Sequence, residues 1–255
     1  MIITKRIIPT LLISNGKLVK TINFGKKTYV GDPINAIKIF NDKEVDELIL
    51  IDIDASKTQT SINYKLIEDC ASECFMPLCY GGGIKNIDDT SRLFSLGIEK
   101  ICLQSSIFKD PFFLKQLSNK YGSQAIVVSL DIFKNFFGNY KLVNSSNGSE
   151  INKNIISLLK ELEQLGAGEI LLNVINKDGK MSGMDFDIIN NLSSNTNLPI
   201  IALGGVGSLN DIKKAFVSGA SAVSAGSFFV FNGPHRAVLI TYPKQEEIIK
   251  IFEDI

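Results

Sequence analysis

Short, nearly unbroken apolar runs alternate along the chain with longer segments whose apolar residues recur at helical spacing. Eight runs read as strands: residues 6–13, 47–53, 77–80, 100–103, 125–131, 169–174, 199–203 and 222–225. The run Ala125-Ile-Val-Val-Ser-Leu130 is typical. Such continuity belongs to strands covered on both faces of a parallel sheet, because a half-exposed strand would alternate with polar residues. Between the runs, residues 33–41, 64–74, 87–96, 111–121, 154–165 and 209–218 carry the helical period. Asp32-Pro33 and Asp110-Pro111 put a capping carboxylate just before a proline of the first turn, a helix-start signature. Strict βα alternation through eight strands predicts an α/β chain closed as a (βα)8 TIM barrel, one domain over residues 1–255, rather than an open doubly wound sheet.

The pattern repeats itself at a period of about 120 residues, half the chain. Gly81-Gly82-Gly83-Ile84 returns as Gly204-Gly205-Val206-Gly207, each after a short strand that begins with proline. Gln104-Ser105-Ser106 returns as Ala225-Gly226-Ser227. Two half-barrels of four βα units each are expected, and no Pro/Gly/Ser-rich linker parts them.

Composition narrows the function. With 27 basic and 27 acidic residues the net charge is zero, and no long basic run stands out, so neither nucleic acid nor a membrane surface is an expected partner. No apolar run approaches membrane length, and residues 1–9 are too short and too mixed for a signal peptide; a cytoplasmic protein is expected. The four cysteines are Cys70, Cys74, Cys79 and Cys102; none forms a CxxC pair, and the single histidine, His235, is remote. Cys70 and Cys74 could share one side of a helix, but reduced, buried thiols are the better reading. Neither a metal nor a cofactor is expected.

Candidate chemistry gathers at strand ends. Gly204-Gly205-Val206-Gly207 follows the seventh strand and Gly226-Ser227 the eighth, the two loops that commonly cradle a phosphate in such barrels. Gly82-Gly83 with Ser105-Ser106 forms a second such pair, so a ligand with two phosphates is expected, one held by each half. The bland alternative is tight turns. Asp52, Asp131 and Asp178-Gly179 end or follow strands two, five and six, where a carboxylate can move protons, hold a hydroxyl or ammonium group, or merely cap a helix. Asp131 directly ends an apolar run and is the strongest candidate. By the internal repeat its first-half counterpart is Leu12, so two-carboxylate chemistry is unavailable from that pair.

Arg6-Ile-Ile-Pro9, Val19-Lys20, Gly31-Asp32-Pro33, Asp46-Glu47-Leu48, Gly81-Gly-Gly-Ile84, Gly122-Ser-Gln-Ala-Ile-Val-Val128, Gly166-Ala-Gly-Glu-Ile-Leu-Leu172 and Asp178-Gly179 together resemble the cyclase subunit of imidazole glycerol phosphate synthase. The likeness runs in order through almost the whole chain and weakens after Ser227. It implies a barrel with two phosphate sites, here Gly82, Gly83, Gln104 and Ser105 in one half and Asp178, Gly179, Gly204, Gly205, Gly226 and Ser227 in the other. It also implies a glutaminase docked on the N-terminal face, whose ammonia passes through the barrel to meet a ribulose phosphate nucleotide. The family's strand-five aspartate corresponds to Asp131 and its mobile-loop lysine to Lys20; both are the expected catalytic groups. Its strand-one aspartate falls at Leu12. Gln104-Ser105, Leu203-Gly204-Gly205, Asn173 and Asn176 also depart from the pattern. The family's charged ring at the ammonia entrance is complete in Arg6, Glu47, Lys100 and Glu169, although four such charges could equally be a stability layer.

Pro9-Thr-Leu-Leu-Ile13, Lys43-Glu-Val-Asp-Glu-Leu48 and Asn232-Gly-Pro-His-Arg-Ala-Val-Leu-Ile-Thr-Tyr-Pro243 resemble a subgroup associated with surface polysaccharides. That resemblance implies help in forming an acetamidino group on a sugar, with a glutaminase and a separate sugar amidotransferase as partners. An authentic histidine-pathway cyclase is the alternative; a different phosphate-ligand barrel, such as an isomerase, and a non-enzymatic sensor of a phosphorylated metabolite follow. The tail over residues 228–243, broken by Gly233-Pro234, is expected to reshape the mouth, dock a partner or pack on the core.

Overall fold

The computed structural model describes residues 5–253. Eight parallel strands form the barrel: β1 (Arg6–Ser14), β2 (Leu48–Asp52), β3 (Leu78–Gly81), β4 (Lys100–Leu103), β5 (Ile126–Lys134), β6 (Glu169–Val174), β7 (Ile200–Leu203) and β8 (Ala222–Ala225). Each pairs in parallel with the next, and β8 closes on β1 through Arg6↔Ala222 to Pro9↔Ala225. The predicted (βα)8 barrel is the observed fold. The helices predicted between the strands lie at Pro33–Asp42, Tyr64–Ser72, Ile87–Ser95, Pro111–Tyr121, Ile155–Leu165 and Leu209–Val217. Two more, Phe186–Ser193 and Gln245–Glu253, complete the outer ring. The Asp32 and Asp110 carboxylates accept backbone N–H bonds from Asn35 and Phe112, as the capping signatures require. Reading residues 1–9 as no signal peptide rests partly on residues 1–4, which lie outside the described residues; no described helix is long and apolar enough to cross a membrane.

Apolar burial occurs in two shells, as continuous strand hydrophobicity demands. Outward-facing residues such as Ile7, Leu50, Val128 and Leu172 pack beneath the helices. Inside the barrel, Ile8, Ile49, Cys79, Cys102, Val127, Leu171, Ile201, Leu203 and Ala222 form a separate cluster. Cys70 is buried under its helix. That helix ends at Ser72, so Cys74 lies beyond it and bonds to the Met76 carbonyl; the two thiols do not share a helical face. No group of three or more potential metal ligands occurs among the described residues.

The sequence pattern misses the antiparallel β-hairpins at the barrel mouth. Lys17–Lys20 pairs with the end of β1 and with Thr28–Gly31, carrying residues 21–27 across the barrel mouth. Strand β5 runs to Lys134 instead of stopping at Asp131, because Tyr140–Asn144 pairs with it antiparallel and Ser149–Ile151 extends that ribbon. After β8 the chain makes one turn of helix, Ser227–Val230, and a small hairpin, Phe231–Asn232 with Ala237–Val238. Arg236 then reaches the Gly179 carbonyl at 2.8 Å, so this tail does contribute to the mouth.

Candidate functional site

At the bottom of the barrel the residues that open β1, β4 and β6, with Glu47 just before β2, turn their charged groups inward. Arg6 bridges Glu47 at 2.5 Å and Glu169 at 3.0 Å, while Lys100 bridges the same carboxylates at 2.9 and 3.3 Å. The four side chains thus close a cycle of alternating sign. Glu47 is 2% exposed, and the other three side chains 15–17%. Glu47 is thus a buried carboxylate paired with two cations.

At the opposite end, Asp131 stands at the mouth and is itself buried. Asn173 Nδ2 donates to its Oδ1 at 2.9 Å, Gln104 Nε2 to its Oδ2 at 2.5 Å, and Ser145 Oγ also donates to Oδ2. Burial raises its pKa above the ordinary carboxylate range, and the three donors hold back that rise. Leu12 and Ile51 line the same cavity where β1 and β2 pair, so an apolar wall occupies the place a second strand-end carboxylate would take. Asp52 does not replace it, since its Oδ1 accepts the backbone N–H groups of Asp54 and Ala55.

Lys20 is carried into the mouth by the first hairpin and is 3% exposed. Its Nζ donates to the Thr10 carbonyl at 2.5 Å. The ammonium rests against the turn after β8, where a Cβ on Gly226 would fall 2.3 Å from Nζ. Burial lowers the Lys20 pKa, and the Asp178 carboxylate opposes that shift. Burial in turn raises the Asp178 pKa, with Lys20 lowering it and Asp131 raising it. Asp178, assigned above to the phosphate group, thus presents its carboxylate to Lys20, while its backbone carbonyl accepts Asn23 N–H of the covering loop at 3.1 Å. Gly179 is wedged beneath that loop, since a Cβ there would lie 2.1 Å from the Thr21 carbonyl oxygen. Gln104 likewise spends its side chain within the mouth, on Asp131 and on the Ser145 N–H.

The glycine loops flank this centre. Gly204, Gly205, Gly226 and Ser227 surround one small recess with Asp178 and Gly179. Gly205 has φ +101, and a Cβ there would meet the Gly183 carbonyl at 2.3 Å, so only glycine fits. On the other side, Gly83, Ser105 and Ser106 share a wider recess with Lys85, Asn86 and Ser146, and Gly82 lines the central cavity. Both recesses face the first turn of a short helix, Ser105–Lys109 or Ser227–Val230, whose leading N–H groups have no partner within the helix. Gly83 N–H, by contrast, already donates to Ser56 Oγ at 3.1 Å. His235 is exposed in the tail turn and is absent from all three recesses.

Protonation here has a consequence for anion binding. Raising the pH first ionises Asp178 and then discharges Lys20, and both steps make the recess of Gly204, Gly205, Gly226 and Ser227 less positive. Affinity for sulfate, whose charge is constant through this range, is therefore expected to fall steadily from mildly acidic to mildly alkaline pH in titration calorimetry. A flat profile would place sulfate away from the Lys20–Asp178 pair.

Among these residues, Ser145 has a clear sequence signal that was missed. Asn144-Ser-Ser-Asn-Gly148 is a turn between two short extended segments.

Comparison with known proteins accords with this architecture. A family model described as "Histidine biosynthesis protein" matches residues 6–234. Over 242 residues the chain is 46% identical to a Pseudomonas aeruginosa protein named "Putative imidazole glycerol phosphate synthase subunit hisF2", spanning 94% of this chain and 96% of the relative. A Leptospira borgpetersenii relative similarly named, as subunit HisF, is 48% identical over 240 residues, 93% of this chain and 94% of its own. "Imidazole glycerol phosphate synthase subunit HisF" of Alkaliphilus metalliredigens is 36% identical over 231 residues, 90% of this chain and 92% of the relative. The chain belongs to the histidine biosynthesis protein family and, within it, to the relatives of the cyclase subunit of imidazole glycerol phosphate synthase.

Proposed function

We propose that this chain is the barrel subunit of a glutamine-dependent amidotransferase system. A HisH-like glutaminase docks on its N-terminal face, ammonia passes the ring formed by Arg6, Glu47, Lys100 and Glu169, and it emerges at the mouth. There a separate sugar amidotransferase takes it up to form an acetamidino group on a surface-polysaccharide sugar, with the glycine loops holding a phosphorylated ligand. One juxtaposition carries this reading: the entrance cycle is complete, while Leu12 occupies the place from which an acid or base would face Asp131. Leucine exchanges no proton, and acid–base help is worth about 10²–10⁴-fold in rate. The identities of 46 and 48% to the two relatives above, against 36% to the third, support a branch distinct from the usual cyclase.

The second reading is the usual cyclase reaction, giving imidazole glycerol phosphate and an aminoimidazole carboxamide nucleotide. Asp178 favours it: this carboxylate shares the mouth with Asp131 and Lys20 and offers another proton-transfer group. It issues from the loop after β6, however, and Lys20 is its principal charge neighbour.

Reconstitution with the cognate glutaminase separates the parts. Adding the barrel is expected to accelerate glutamine hydrolysis at least about tenfold, and Glu169→Ala is expected to abolish most of that gain. A glutaminase indifferent to the barrel would remove the docking claim. With ¹⁵N-amide glutamine, label is expected in a sugar acetamidino product only when the sugar amidotransferase is present. Label in imidazole glycerol phosphate would establish the second reading.

A further inference from the structure

The tail hairpin after β8 is mostly exposed, yet one of its side chains turns inward. Residues 232–235 and 237–239 face solvent, whereas Arg236 between them is partly buried. Its N–H donates to the Gly233 carbonyl at 3.0 Å, and its φ of +52 puts a non-glycine residue in the left-handed region. Few residues besides glycine, asparagine and aspartate adopt that conformation freely, so contacts beyond the turn must support it. Two are present. The guanidinium lies over the Phe231 ring, 4.7 Å from its centroid, and Nη2 donates to the Gly179 carbonyl at 2.8 Å. A planar group set over a ring and bonded at one nitrogen is fixed in direction.

The carbonyl it meets belongs to a junction. The loop after β6 is held toward β7 by Gly183 N–H on the Gly205 carbonyl at 2.9 Å, and by the covering loop through Asn23 N–H on the Asp178 carbonyl at 3.1 Å. Gly179 has φ +73 and lies so close to the Thr21 carbonyl that no Cβ would fit. Glycine is thus required there, but it leaves the following peptide free to rotate unless something outside the loop holds it. Arg236 supplies that hold from the tail. Asp178 and Gly179 also line the recess shared with Gly226 and Ser227, and the tail runs on from Ser227. The Arg236 bond therefore ties the β6 side of this recess to the β8 side.

Resting on the proposed function only in taking this recess as a site for the phosphorylated ligand, we infer that Arg236 is a positioning residue of the mouth. By holding the Gly179 carbonyl it fixes the loop after β6 beneath the covering loop, and with it the Asp178 carboxylate near Lys20. Its part is indirect: it acts through the backbone of Gly179. The groups acting on the Asp178 carboxylate are Lys20, Asp131 and the Thr21 side chain, but burial is the largest influence on its ionisation. A loop released from Arg236 admits water, and Asp178 then ionises at lower pH.

The test compares the full chain with Arg236→Ala, Arg236→Gly and Arg236→Lys. Glycine removes the guanidinium while easing the left-handed backbone, so it separates loss of the bond from damage to the turn. Amide hydrogen exchange of Asn23 is expected to quicken about tenfold in the alanine and glycine variants, the lower end of what a hydrogen bond to a charged group holds, with amides of β6 and β7 unchanged. Arg236→Lys, which keeps the charge, is expected to restore part of the protection. The ¹³C signal of the Asp178 carboxyl, assigned by its loss in Asp178→Asn, is expected to titrate at lower pH in Arg236→Ala. The fall of sulfate affinity with rising pH is expected to begin at correspondingly lower pH. Equal Asn23 exchange in all four chains, an unmoved Asp178 titration, faster exchange spread evenly over β6 and β7, or a glycine variant matching wild type would each overturn the inference. Failure of the proposed function shows separately, as a glutaminase indifferent to the barrel while Asn23 and Asp178 still respond to Arg236.

Discussion

Leu12→Asp is expected to raise ammonia-dependent formation of imidazole glycerol phosphate by about 10²-fold over the unsubstituted chain, the lower end of what acid–base help supplies. The gain is expected because much of the site is in place: Asp131 is fixed by three donors, Lys20 is delivered by the first hairpin, and Leu12 lines the same cavity as both. It stays at the lower end because Asn173 and Leu203 also depart from the cyclase pattern, and Leu203 adds an apolar side chain to the same cavity. An initial-rate assay with ammonium as nitrogen source reads the effect. A new aspartate that leaves the rate unchanged would mean that Leu12 is not what separates this barrel from a cyclase.

Glu47→Ala is expected to cost about 3 kcal/mol of stability, measured as urea unfolding extrapolated to water. Removing one partner of a buried ion pair typically costs about 3–5 kcal/mol, because the opposite charge stays behind unpaired. Here two cations, Arg6 and Lys100, lose a shared carboxylate that is 2% exposed. Their partial access to water and their remaining bridges to Glu169 keep the loss at the lower end. Stability alone does not distinguish a gate from a structural floor. Glu47→Gln does: it keeps the volume and some hydrogen bonding, and a gate is expected to lose glutaminase stimulation in this variant even where the fold persists.

The frame of the molecule was legible because of how a parallel barrel buries itself. Strands covered on both faces must be apolar throughout, and three of them, β4, β6 and β8, fall where the runs place them to the residue. The hairpins were not legible: Lys17–Lys20 and Tyr140–Asn144 are short and half-exposed, and what makes them strands is pairing with the ends of β1 and β5. The site divides in the same way. Asp131 and Leu12 could be located from strand position and the internal repeat. The ring was visible only through resemblance, since nothing in the spacing of residues 6, 47, 100 and 169 says that their side chains meet. Gln104 and Asp178 show what a strand-end position leaves open: the folded chain turns Gln104 to Asp131 and sets the Asp178 carboxylate near Lys20. Those turns are tertiary choices, imposed by Ser145 from one hairpin and by the covering loop from the other.

The most direct test of the account supplies the unsubstituted chain, together with its glutaminase, with the ribulose phosphate nucleotide and glutamine, and follows both half-reactions at once. Accelerated glutamine hydrolysis, with imidazole glycerol phosphate formed about 10²-fold more slowly than by Leu12→Asp, is the expected result. Turnover of the nucleotide at a rate that Leu12→Asp does not improve would contradict it.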